Sequence, residues 1–419
     1  MYPVYTLKKL SALVSRALTS IKSGGSPGSF YVTSKADVCA SVDLWNARLP
    51  FITPYYAVKS NHSPLLLRWL HEEGISFDCA SVGEIDAVLG TGASPEKIVY
   101  ANPCKRREDI TYADKAKVSR TVVDSCEEID KVVQEAWAGD ALLRIRVDDA
   151  NSVVPFSKKF GIPLSEVQNI ARYAGKRGLS LAGISFHVGS TCNDVSQYTR
   201  AIFQASESAD ILRSEGHPAT TIDIGGGFTS SAFCASANAI SKAHSIIPPI
   251  RMIAEPGRYF SEGSHSLFVK VIGKKGMSNG APGFRYTLDE SLYGQFSCIP
   301  FDCARPRWIR IGEDRRKRTP AVLFGRTCDS VDMIAMTEST EELMEGDWLL
   351  FPNMGAYTSV TSSEFNGFPR PPVYELAESM NALVPQIEHA PITYVTPVVV
   401  PSKAIVQANL SIYKSLLVV

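Results

Sequence analysis

Five kinds of reactive side chain or turn sit at the ends of short apolar runs: Lys59, His187, the triplet Gly225–Gly227, Glu255 and Arg258. Lys59 follows PYYAV and precedes Ser60-Asn61. A charged amine at the end of an apolar segment is costly unless it has a task. A neutral amine there could hold an aldehyde as a Schiff base, given burial or a neighbouring cation to lower its basicity. Gly225–Gly227 follow TIDI and offer backbone N–H groups to an anion, reinforced if a helix starts just after them. Arg258 supplies a fork-shaped cation for the same anion. Glu255, before Pro256-Gly257, could keep a pyridine nitrogen protonated, so that the ring draws electrons from a substrate Cα. His187 lies in FHVGS, where small and apolar neighbours let a flat ring lie against it, and Ser190 could donate to a phosphate. Together these are the parts of a pyridoxal phosphate site. Taken singly, each has a plainer reading: a rim salt bridge for Lys59, a satisfied core histidine, a tight glycine turn, a buried pair between Glu255 and Arg258.

A second group lies later in the chain. Cys328-Asp329, in GRTCDS, places a thiol beside a carboxylate. The thiol could return a proton to a carbanion while the carboxylate holds a substrate amine. The alternative is an ordinary strand end. Asp302, in IPFD, gives another carboxylate for the same amine.

Eight apolar runs would position the first group: 51–59, 75–81, 97–102, 119–125, 141–147, 181–189, 221–227 and 250–258. Helix-compatible stretches separate them. This is the pattern of a (β/α)8 TIM barrel, whose site gathers at the C-terminal ends of the strands. Lys59, Asp78, Glu84, Arg144, His187, Gly225, Gly226, Gly227, Glu255 and Arg258 would then share one mouth. Beyond Arg258 the texture changes to short alternating runs (266–272, 284–288, 319–324, 347–351, 372–376) divided by glycine, proline and aspartate. These predict an antiparallel β-domain, which the early strand Ser29–Thr33 would join. The chain therefore divides into a barrel over 34–265 and a β-domain built from 1–33 and 266–419, with a first helix and an apolar, helical C-terminal tail. The basic stretch Arg305–Arg318 reads as a solvated loop.

The chain has 419 residues, 45% of them hydrophobic and 21% charged, with 43 basic and 43 acidic side chains. No one-sign field is available to recruit nucleic acid or an anionic membrane. Nine cysteines without a C-x-x-C pair predict reduced thiols, no metal site and a cytoplasmic protein. The mildly basic N-terminus is too short and interrupted in its apolar stretch for a signal peptide or a membrane span; a transit peptide is the alternative.

The ordered motifs PYYAVKSN (54–61), FDCAS (77–81) with Glu84, YANPCK (100–105), LRI (143–145), FHVGS (186–190), DIGGGF (223–228), EPGRY (255–259), YGQFSCIPFD (293–302), TCDSVD (327–332) and MGAYTSVTSSEFNGF (354–368) resemble the fold-type III pyridoxal phosphate decarboxylases. The nearest group is the ornithine decarboxylases, and the likeness runs from about Ser29 to about Leu376. The resemblance implies an alanine racemase-like architecture and a homodimer in which Cys328 and Asp329 reach the partner's barrel. It implies Lys59 as the covalent anchor of the cofactor, with Asp78, Glu84 and Arg144 around it. It places His187 on the ring, Glu255 on its nitrogen, and Ser190, Gly225–Gly227, Arg258 and Tyr357 on the phosphate. Cys328 would be the proton donor. Asp302 and Asp329 would bind the distal amine, with Tyr293 and Phe365 lining the substrate pocket.

The implied reaction is decarboxylation of L-ornithine to putrescine, a step of polyamine biosynthesis. One departure keeps alternatives open. Cys303 follows Asp302 where the resemblance leads to histidine. Lysine, or an amino acid of secondary metabolism such as a loline alkaloid precursor, is therefore an alternative substrate. An inactive binding protein of the antizyme-inhibitor kind is a third.

Overall fold

In the computed structural model, residues 28–312 and 316–375 are described. They form two units, Lys35–Glu262 and a second made of residues 28–34 with 263–375. The N-terminal helix and the apolar tail inferred from sequence lie outside the described residues.

In chain order, the first unit follows strand β1 (Phe30–Thr33) and runs α1 (Lys35–Arg48), β2 (Ile52–Ala57), α2 (Pro64–Glu72), β3 (Ser76–Cys79) and α3 (Val82–Leu89). It continues with β4 (Ile98–Tyr100), α4 (Arg107–Lys115), β5 (Arg120–Val123), α5 (Cys126–Gln134), β6 (Asp140–Arg144) and β7 (Ser152–Val154). Then come α6 (Val167–Lys176), β8 (Leu181–Ser185), β9 (Ser190–Cys192), α7 (Ser196–Ser214), β10 (Thr221–Asp223), α8 (Phe233–His244), β11 (Arg251–Ala254) and the short α9 (Arg258–Ser261). Strands β2, β3, β4, β5, β6, β8, β10 and β11 close into a barrel, each paired in parallel with its neighbours, from β2 beside β3 round to β11 beside β2. All eight apolar runs thus form the barrel.

The reasons are local. Successive side chains point to opposite faces of a strand, so Tyr55, Val99, Val122, Leu142, Ala182 and Ile253 pack into one cluster while other strand residues meet the helices. Helix α6 buries Val167, Ile170, Ala171 and Ala174, the spacing of a single helical stripe. Pro64 opens α2, where its missing N–H and fixed φ suit the first turn. The Ser125 hydroxyl accepts the Glu128 N–H at 3.1 Å and caps α5.

The strands end earlier than the apolar runs. β2 stops at Ala57 and Lys59 lies in a 3-10 turn, Val58–Ser60; β8 stops at Ser185, two residues before His187. β7 and β9 make a separate antiparallel pair, with Val154 opposite Ser190.

The second unit comprises β1, β12 (His265–Gly276), β13 (Phe284–Leu288), α10 (Cys298–Asp302), β14 (Ile309–Ile311), β15 (Arg318–Phe324), β16 (Met333–Glu341), β17 (Trp348–Phe351) and β18 (Val373–Glu375). The sheet order is β14-β17-β12-β13-β15-β16, with β1 on β12 and β18 on β1. Most pairs are antiparallel, as the sequence predicts, while β13–β15 and β1–β18 are parallel. Long connections between the partners permit this, whereas a tight hairpin would not. β12 alternates between two clusters. Leu267, Val269 and Val271 join one, and Phe268 joins Phe30, Val32 and Leu350 in the other. The Phe30 and Phe268 rings stack at 4.9 Å. The basic stretch 305–318 is not all loop. β14 lies in it, and Arg310 Nε bonds Glu341 Oε2 at 2.9 Å.

Candidate active site

The barrel mouth is built from turns that follow its strands. Lys59 Nζ lies 3.4 Å from Asp78 Oδ2, because the end of β2 and the end of β3 are in register, Ala57 opposite Asp78. Asp78 is buried and its Oδ1 has no hydrogen-bond partner among the described residues. Burial pushes its carboxyl upward, and Lys59 and Arg144 pull it back. Glu84, in the first turn of α3, accepts the Ala80 N–H at 2.6 Å. Burial nonetheless pushes it up to about 7.

Arg144 ends β6 and its guanidinium lies 5.3 Å from the Phe160 ring centre. His187 accepts the Gly189 N–H at Nδ1, 2.9 Å away, and the Phe156 ring packs against it with centroids 4.7 Å apart. Burial first, then Lys59 and Arg144, push the imidazole well below its ordinary range, so it is neutral near pH 7.

The glycine triplet passes directly beneath this histidine. Gly225 has φ +61, and a Cβ there would stand 2.3 Å from the Phe186 carbonyl oxygen. A Cβ on Gly226 would stand 2.8 Å from His187 Nε2 and 2.8 Å from the Glu255 carbonyl oxygen. Only glycine fits so close a backbone approach. Among the described residues, the N–H groups of Gly226 and Gly227 find no acceptor in the chain. No helix begins straight after the triplet; α8 starts at Phe233, so the anion-binding character rests on the turn itself. Arg258 Nη2 donates to Ser190 Oγ at 3.2 Å. That contact carries the β7–β9 ribbon into the site.

Glu255 follows β11 and is buried. Its N–H donates to the Gly225 carbonyl at 2.7 Å, and its Oε1 has no donor among the described residues. Burial, then Asp223 and Asp78, push its carboxyl well above the usual range. Asp223 at the end of β10 is the member of this cluster that sequence reasoning missed. The signal was available: like Asp78, it is a carboxylate inside an otherwise apolar run. Phe156 and Phe160 were also missed, for want of any spacing that ties them to the histidine and arginine they touch.

These residues suit pyridoxal phosphate. A buried carboxylate oxygen has no donor among the described residues, such as a ring nitrogen would provide; two backbone N–H groups could take an anion together with the guanidinium and hydroxyl of the Arg258–Ser190 pair; the Lys59 amine could hold an aldehyde. Among the described residues, no group of three or more histidine, cysteine or carboxylate side chains could hold a metal ion.

The second unit has its own cluster. The Tyr293 hydroxyl donates to Asp329 Oδ2, and the Tyr293 and Phe365 rings lie 4.4 Å apart. Cys328 is exposed and its Sγ lies 3.6 Å from Asn366 Oδ1. The Tyr293 hydroxyl holds the Asp329 carboxyl below its ordinary range. Asp302 is buried at the end of α10, and Cys303 after it is exposed with φ +53. Tyr357 also has positive φ, +55, and its carbonyl accepts the Thr361 hydroxyl at 2.8 Å. The structure thus brings Tyr293, Cys328, Asp329 and Phe365 together.

Comparison with known proteins agrees with this chemistry. The family described as "Pyridoxal-dependent decarboxylase, pyridoxal binding domain" matches residues 35–262. A probable ornithine decarboxylase of Dictyostelium discoideum is 35% identical over 86% of this chain and 82% of its own length. Antizyme inhibitor 2 of Xenopus laevis is 38% identical over 82% of this chain and 80% of its own. The crystal structure of the arginine decarboxylase of Paramecium bursaria Chlorella virus, bound to agmatine, superposes with a TM-score of 0.83 at 35% identity, covering 86% of this chain and all of that one. The chain belongs to the fold-type III, ornithine decarboxylase-like family of pyridoxal-dependent decarboxylases, and it is an amino acid decarboxylase that uses pyridoxal 5'-phosphate.

Proposed function

We propose that this enzyme decarboxylates a basic amino acid, with L-ornithine as the substrate and putrescine as the product. One observation carries the reading: Asp329, held below the ordinary carboxylate range by the Tyr293 hydroxyl, sits next to the exposed thiol of Cys328. A carboxylate that stays charged suits a distal ammonium, and a neighbouring thiol suits proton return. The short Asp302 side chain favours a short diamine head.

Bound pyridoxal phosphate supplies an electron sink for the pair left when carbon dioxide departs. Lys59 would hold the cofactor aldehyde through Nζ and serve again at product release, with Asp78 aiming that amine. Neutral His187 would lie against the ring without adding charge, and Glu255 would face the ring nitrogen. The Gly225–Gly227 turn, through the N–H groups of Gly226 and Gly227, would hold the phosphate with Ser190, Arg258 and Tyr357. Glu84 and Arg144 would complete the polar surround. Cys328 would deliver a proton to Cα. Asp302 and Asp329 would hold the distal amine, Tyr293 would orient Asp329, and Phe365 would line the pocket.

The same reading includes a homodimer in which Cys328 and Asp329 serve the partner's barrel. Phe301 and Val331, both apolar and 70% and 58% exposed on the second unit, suit a face covered by another copy.

A screen of carbon dioxide release over ornithine, lysine, arginine, diaminopimelate and N-substituted diaminobutyrates tests the substrate. Ornithine should give the highest kcat/KM. A clear preference for another compound overturns the assignment. Cys303 favours one such outcome. An exposed thiol in place of an imidazole beside Asp302 suits a substrate altered near its carboxylate, as in alkaloid metabolism. A holoenzyme that lacks the absorbance of a lysine-linked cofactor, near roughly 420 nm, would instead point to an antizyme-inhibitor-like binding protein.

A further inference from the structure

The barrel mouth holds one more buried carboxyl than the proposed roles use. Asp223 ends β10 with no exposed surface. Its Oδ1 accepts the Gly225 N–H at 2.9 Å. Its Oδ2 and Glu255 Oε1 are both buried, and neither has a donor among the described residues. The two carboxyl groups lie within hydrogen-bonding reach of each other. Gly225 clamps the pair at both ends, since its N–H binds Asp223 and its carbonyl takes the Glu255 N–H at 2.7 Å. Two ionised carboxylates at this distance would repel strongly in a buried site, whereas one proton between them makes a charge-assisted hydrogen bond.

The surrounding charges set where that proton sits. Asp78 on β3 adds repulsion to both groups, Arg144 on β6 relieves Asp223, and Lys59 relieves Glu255. In the cofactor-free chain the push is greater on Glu255, so the proton rests there. With a cation facing it, Glu255 would favour its ionised form and pass its own proton to Asp223.

We propose that Asp223 is a positioning residue that shares one proton with Glu255 and, when the cofactor is bound, donates to the Glu255 carboxylate and holds it on the ring nitrogen. The inference rests on the assignment of Glu255 to that nitrogen. No bond to substrate is made or broken by Asp223.

The test uses cofactor affinity. Cofactor-free full-length protein, as wild type, Asp223→Asn, Asp223→Leu and Glu255→Ala, is dialysed to equilibrium against pyridoxal 5'-phosphate and against its 1-deaza analogue, which has C–H in place of the ring nitrogen. Asp223→Leu should weaken pyridoxal phosphate by about tenfold to a hundredfold, the value of a hydrogen bond to a charged group, and leave the deaza analogue unchanged. Asp223→Asn, whose amide can still donate to Glu255 and accept from Gly225, should bind both compounds as wild type does. Equal loss for both compounds in Asp223→Leu, no loss for either, or an Asp223→Asn protein that behaves like Asp223→Leu overturns the proposal. Should Asp223→Leu fail to fold, Asp223→Ala provides the same comparison. Glu255→Ala separates the two claims. If it does not discriminate between the compounds, the Glu255 assignment falls; if it does and Asp223→Leu does not, only the role of Asp223 falls.

Discussion

The two clusters hold similar groups in opposite conditions. At the barrel mouth, Asp78, Glu84, Asp223 and Glu255 are all pushed upward and His187 downward, and burial is the first cause in every case. In the β-unit, Asp329 is held low by one hydroxyl and Cys328 stands open to solvent. The barrel therefore stores carboxyls that are costly to ionise until a cation arrives, as a cofactor site requires. The β-unit keeps its carboxylate charged beforehand, as recognition of an ammonium requires.

Breaking the barrel cluster should have the largest effect. Lys59→Ala should abolish the lysine-linked cofactor absorbance and lower kcat by at least on the order of 10³-fold; a variant with wild-type turnover would defeat the assignment. Breaking the β-unit cluster should leave cofactor binding intact. Cys328→Ala should lower correct proton return by on the order of 10²–10⁴-fold and yield abnormal products, visible by chromatography. An unchanged product ratio would remove Cys328 from that role. If the two clusters meet across a dimer, mixing and re-associating inactive Lys59→Ala and Cys328→Ala subunits should restore about a quarter of wild-type activity, since half the dimers then carry one intact site.

The contrast also predicts a pH dependence. Asp223 and Glu84 have folded values of about 6 and about 7, above the unfolded carboxylate value of about 4. Their protonated forms are thus favoured by folding. The associated stability of the cofactor-free chain is present below about pH 4 and lost as pH rises toward about 7. Urea midpoints should fall across that range and flatten in a Glu84→Gln, Asp223→Asn double variant; an equally steep fall in that variant would contradict the burial argument. Tyr293→Phe should have the smallest effect. It removes one hydrogen bond to the half-buried Asp329 carboxylate, so KM for the basic amino acid should rise by about threefold to tenfold with kcat kept. A kcat loss at unchanged KM would mean Tyr293 does something other than orient Asp329.

The barrel was legible because eight apolar runs with helical spacers leave few other solutions. The ends of the runs were less legible. Hydropathy carries through Val58 and Phe186, yet the backbone leaves the sheet at Ala57 and Ser185 to turn Lys59 and His187 into the mouth. The direction of pairing in the β-unit was hidden, because alternation along β13 or β15 records which face is buried and not which partner lies alongside. β16 escaped notice because its apolar start, Met333–Met336, gives way to the polar Thr337–Glu341 without alternation. β14 was masked by its central Arg310, which is tied to a carboxylate of β16. In the site, Asp223 was passed over although it opens the motif DIGGGF, because its task is set by its contact with Glu255, and Phe156, which touches His187, lies in no motif at all.

One feature of the β-unit bears on how such a chain can change over generations. Because β12 sends Leu267, Val269 and Val271 to one cluster and Phe268 to the other, deleting a single residue between them would invert every later side chain and spoil both packings at once. Length variation therefore has to fall outside Leu267–Val271, as the register shift between Val271 and Gly273 already does, or at turns such as the left-handed Cys303 that ends its helix after Asp302.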